Sequence, residues 1–82
     1  MEITEIQKSE INQSINALIE SGESFQYSVA YVGHVLINEY DNAKKIGLNN
    51  YAEEIVYPKI RYCMNKINHK KSNTQTYGNN KF

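Results

Sequence analysis

An all-α fold, three helices with a long antiparallel helical hairpin at the centre, is predicted by three features of the chain. Apolar residues recur at steps of three and four between Ile11 and Ile67, the spacing of one face of a helix. Gly22 and Gly47 divide that pattern into helix-sized segments, and glycine is favoured just past a helix end. No stretch alternates apolar and polar residues at the period of two that a half-buried strand needs.

The first helix is expected over 4–21. Thr4 and Gln7 have the spacing of a capping box. Ile11, Ile15, Leu18 and Ile19 form its stripe, with Ile6 loosely in line, and Gly22 follows as a C′ residue.

The second helix is expected over 24–46, about 35 Å long at 1.5 Å per residue. Ser24 can cap it, and Phe25, Val29, Val32, Leu36, Ala43 and Ile46 mark its inner stripe, with Glu39 interrupting. Lys44 and Lys45 occupy the last turn, where positive charge complements the helix dipole. Gly47 and Leu48 then fit a Schellman ending.

The third helix is expected over 50–69, started by Asn49 or Asn50, with Glu53 three residues after Asn50 as a capping partner and Glu54 beside it. Ala52, Val56, Ile60, Cys63 and Ile67 continue one face. Pro58 lies inside that face; it removes a backbone hydrogen bond and disfavours helical geometry at Tyr57. Two readings compete: a kinked helix over 50–69, or a short turn that ends near 56 with a new helix from Pro58. The stripe keeps phase across the proline, which favours a kink that bends the helix around the first over a break or a hinge. The connection around Gly47 is too short for anything but neighbouring antiparallel helices. Residues 1–69 read as one domain, and 70–82, polar and aperiodic, as a flexible tail.

Charge is divided although the net is zero. Residues 1–43 carry seven acids and one base, Lys8; residues 44–82 carry eight bases and two acids. The basic end can meet an anion or the acidic half of another chain.

Several function classes lose support. The longest mostly apolar run, 29–37, is nine residues and contains Gly33 and His34, short of the roughly 20 needed to span a bilayer. The acidic N-terminal sequence is unlike a secretory leader, and a lone cysteine, Cys63, fits a reducing cytoplasmic setting. There is no phosphate-binding glycine loop and no zinc signature. His34 and His69 sit on different helices, and Cys63 falls on an apolar stripe, where it reads as a small core residue. No catalytic residue, cofactor or metal site is assigned; His34 with Asp41 is an incomplete ligand set.

Three surfaces remain as candidates. Tyr27, Tyr31, His34, Asn38, Asp41 and Lys45 share one face of the second helix; tyrosines there offer contact area with a polar tip, and this face is assigned to a protein partner. Ala30, Gly33, Ile37 and Tyr40 add a second apolar stripe, expected to join copies of the chain in a homo-oligomer. Lys59, Arg61, Tyr62, Lys66 and Lys70 place bases around a tyrosine, a pattern suited to an anion.

The expectation is therefore a non-enzymatic helical binding protein, an inhibitor or regulator of phage, plasmid or immunity type that occupies a partner protein in the (host) cytoplasm. Ile, Asn, Lys and Tyr, all with AT-rich codons, supply 36 of 82 residues, which points to such a low-GC source by association alone. The alternative is an oligomer that sequesters a nucleotide or another small anion; nucleic-acid binding ranks lower, because the net charge is zero.

Overall fold

The computed structural model describes residues 3–67. The protein is all-α, with three helical arms and no strand among the described residues. The predicted tail at 70–82, the end of the predicted third helix and Lys70 of the basic row lie outside them.

The first helix, α1, spans Glu5–Glu20. Thr4 caps it from outside: its Oγ1 accepts from the Gln7 N–H at 3.1 Å, while Gln7 Oε1 accepts from the Thr4 N–H at 3.0 Å. Gly22 closes it at φ 110°. The Glu23 N–H reaches the Leu18 carbonyl and the Gly22 N–H reaches that of Ile19, the paired bonds of a Schellman ending.

The second helix, α2, spans Phe25–Lys45 with Ser24 as its cap, accepting from the Tyr27 N–H. Its C-terminus repeats the same ending. The Leu48 N–H donates to Ala43 and the Gly47 N–H to Lys44, with Gly47 at φ 88°.

The third arm departs from expectation at its start and around its proline. It begins at Asn49, with Leu48 in the cap position and no side-chain cap. The Asn50–Glu53 capping box does not form: Asn50 lies inside the helix rather than at its cap, and Glu53 is engaged by α2, where its Oε2 accepts from Tyr40 Oη at 2.6 Å and Lys44 Nζ at 2.8 Å. After one α-helical turn, Asn49–Tyr51, the arm becomes π-helical over Ala52–Val56 and α-helical again over 57–67. The Tyr57 N–H donates to the Ala52 carbonyl, five residues back. Pro58 accounts for this stretch. A regular turn would press its ring against the carbonyl four residues earlier, and the wider π turn relieves that clash. Tyr57 consequently keeps helical angles, φ −57° and ψ −44°, despite preceding a proline. The arm passes through Pro58 as one continuous helix.

The core draws on all three arms: Ile11 and Ile15 from α1, Val29 and Leu36 from α2, and Val56, Ile60 and Cys63 from the third. Contacts step down α2 as they step up the third arm. Lys44 and Tyr40 meet Glu53, Tyr40 meets Tyr57, and Gly33 faces Cys63. Asn12 of α1 donates to the Tyr62 hydroxyl at 3.0 Å, tying the first arm to the third. The buried stripes are shorter than the apolar pattern at several ends: Ile6 and Ile46 are mostly exposed, and Ile19 partly so. Ser28, absent from any predicted stripe, is fully buried; its hydroxyl donates to the Ser24 carbonyl at 2.7 Å, which satisfies the group without a partner from another arm.

Candidate binding surfaces

The outer face of α2 is a continuous exposed row. Tyr27, Tyr31, His34, Asn38, Asp41 and Lys45 all lie on it and all six are exposed, because their shared helical phase points away from Val29, Leu36 and Ala43, which are buried. Tyr27 and Tyr31, one turn apart and about half exposed, stack with ring centroids 6.2 Å apart and planes 24° from parallel. Neither hydroxyl has a partner among the described residues. Val35 and Ile37, 49 % and 41 % exposed, flank the row.

The predicted oligomer stripe divides. Ala30 and Ile37 are exposed. Gly33 and Tyr40 are half-buried against the third arm. A β-carbon at position 33 would lie 3.7 Å from that of Cys63, while Tyr40 packs on the core and donates to Glu53. The third arm of the same chain covers part of the surface at these two positions.

The predicted basic row also divides, and part of it joins residues from elsewhere. A groove of about 440 Å³ is lined by Lys8, Glu53, Tyr57, Arg61, Tyr62 and Asn65, with Ile3 and Pro58 completing it. The Lys8 ammonium stands 5.9 Å from the centre of the Tyr62 ring and that of Lys66 stands 4.8 Å from it. Cation–π attraction thus holds both around one tyrosine. Lys8 also reaches Glu5 at 3.2 Å. Arg61 is exposed and has no ion pair among the described residues. Lys59 is half-buried and does not line the groove.

Lys8, Glu53, Tyr57 and Asn65 are site residues that the sequence pattern does not group with the basic row. Lys8 carries a signal, as the only base in an acidic half, but its place beside Arg61 depends on how α1 docks. Glu53 carries a false one, a capping role.

At the edge of the groove, the Lys44 hydrogen bond, reinforced by that of Tyr40, holds the Glu53 carboxyl below its ordinary range. The same carboxylate raises the Tyr40 phenol and the Lys44 ammonium. Tyr51 donates to Glu39 in a parallel contact between the same two arms, which raises the Tyr51 phenol. Cys63 is buried, and that burial pushes its thiol up against a smaller opposing effect of Lys66; a thiol in this state is a poor nucleophile. Among the described residues no three His, Cys, Asp or Glu side chains converge on a metal-sized site, and no helix is long and apolar enough to cross a membrane.

Compared with known proteins, the chain matches no family model, no curated protein and no solved structure.

Proposed function

We propose that this chain is a non-enzymatic helical binding protein, an inhibitor or regulator that acts by occupying a protein partner with the outer face of α2. The observation that carries the reading is the outward-facing row itself. Two stacked tyrosines, a histidine and an asparagine stand in line on a rigid helix, and the core uses none of them. Aromatic side chains presented on a fixed scaffold bury large area at low entropic cost, which is why interface hot spots favour them. A cytoplasmic setting and a phage or plasmid source belong to this proposal and direct the search for the partner to the host lysate.

The test is affinity capture with the full chain and with Tyr31→Ala and His34→Ala. Both variants are expected to retain the wild-type circular dichroism spectrum and to lose the captured protein. Retention of that protein at wild-type level by both variants would overturn the assignment, and unfolding of either would mean that the row serves the core. Self-association through Ala30 and Ile37, both exposed, is the competing use of the same helix. Light scattering separates the two: a mass that stays monomeric over a wide concentration range removes the oligomer.

A further inference from the structure

We propose that the groove between the start of α1 and the third arm is a binding site for a nucleoside phosphate, separate from the partner face of α2. The groove's volume, about 440 Å³, lies within the range of small-ligand sites, roughly 300–1,000 Å³. Its two cations come from opposite ends of the sequence. Lys8 is positioned by the Tyr62 ring and Glu5, and Arg61 projects from the third arm without an ion pair among the described residues. Glu5 is mostly exposed, so its hold on Lys8 is weakened by solvent and leaves the ammonium able to take a phosphate oxygen. An arginine fork beside a lysine suits phosphate, because the fork donates two hydrogen bonds while the ammonium adds a compact charge.

The other lining residues suit the ring half of the ligand. Tyr57 is 45 % exposed and lines the groove beside Pro58, offering an aromatic surface on which a base can stack. The Tyr62 ring is already attended by two ammonium groups and serves instead to position charge. Glu53 is the one carboxylate in the lining, and Lys44 balances it at 2.8 Å. The hydrogen bonds from Tyr40 and Lys44 both use Oε2, which leaves Oε1 to accept an N–H from a nucleobase, while the Asn65 amide can both donate and accept. The π-helical stretch Ala52–Val56 borders the groove and contributes Glu53 to it; such stretches frequently occur at functional sites.

Isothermal titration of the full chain with AMP, adenosine and inorganic phosphate tests the assignment. AMP is expected to bind saturably, with adenosine and phosphate each weaker by about tenfold or more. Arg61→Gln and Lys8→Gln should each weaken AMP by roughly tenfold, as loss of a charged contact does, with the fold unchanged by circular dichroism. Tyr57→Leu should weaken AMP and adenosine but not phosphate. Lys45→Gln, on the outer face of α2, should leave all three unchanged. Absence of saturable AMP binding at millimolar concentration would overturn the proposal, as would AMP binding that survives both cation substitutions. Phosphate binding as tightly as AMP would overturn the nucleoside part.

Discussion

At Gly33 the absence of a side chain is a matter of spacing, not of backbone conformation. Its φ is ordinary, and an added β-carbon would meet Cys63 at van der Waals distance, 3.7 Å. Gly33→Ala is therefore expected to stabilise the protein by about 0.5–1 kcal/mol, the helix-interior cost of glycine relative to alanine, read as a higher thermal midpoint. Gly33→Leu should lower it, because the extra atoms must enter the Cys63 contact. Glu53 is the residue whose protonation state bears most directly on the junction of α2 with the third arm. Its carboxyl is held below its ordinary range by Lys44 and then Tyr40, so the contribution is complete above the unfolded pKa and is lost as pH falls through the lowered folded one. At the alkaline end Lys44 and Tyr40 are both raised; their contribution is complete below their unfolded values and fades as pH climbs through the folded ones. The difference in melting temperature between wild type and Glu53→Gln should thus be greatest at neutral pH and shrink towards both extremes. A difference that is constant with pH would show that the carboxylate does not fasten the arms.

At the scale of elements, the chain writes its helix ends more plainly than its helix contacts. The Thr4–Gln7 box and the glycine endings at Gly22 and Gly47 are legible because each is decided within a few residues of backbone. The Asn50–Glu53 cap is misread because the helix starts earlier, at Asn49, and because Glu53 takes its partners from across the arm junction, Tyr40 thirteen residues back in sequence and, nearer, Lys44. The π-helical stretch is invisible to a fixed 3.6-residue period, yet it explains a peculiarity of the pattern. Ala52, Val56 and Ile60 are spaced by successive steps of four, each overshooting an α-helical turn. A wider turn over Ala52–Val56 absorbs the overshoot, and all three residues are buried. The groove is half legible. Arg61 and Tyr62 are grouped by helical spacing, but Lys8 joins them only after α1 has docked. The two glycine endings give the sharpest test of an element. Gly47 sits at φ 88°, and a β-carbon there would meet nothing within 4 Å, so Gly47→Ala should cost about 1–2 kcal/mol through backbone strain alone. Gly47→Asn, which tolerates that conformation better, should cost less. Chemical denaturation of the two variants measures the difference.

For the whole molecule, nine buried apolar residues among those described form the core of an 82-residue chain. At roughly 0.05–0.15 kcal/mol per residue, total stability is on the order of 4–12 kcal/mol. Leu36 lies in the central arm and is nearly fully buried; Leu36→Ala should remove about 2–5 kcal/mol, a large share of that total. At about 4–8 °C per kcal/mol for a domain of this size, calorimetry should record a fall of roughly ten degrees or more. The π-helical stretch has a last consequence for the molecule, one of chain length. A bond that reaches five residues back encloses one residue more than a regular turn does, so the third arm carries a residue to spare between Ala52 and Val56. Deleting Glu54 alone should damage the fold, because Pro58 needs the wider turn. Deleting it together with Pro58→Ala should close the turn into ordinary α-helix and leave Ile60, Tyr62 and Cys63 facing the partners they already have. The protein would then be one residue shorter with its core and groove in the same angular setting, which makes this the place in the chain where length can change without rotating the remainder of the arm.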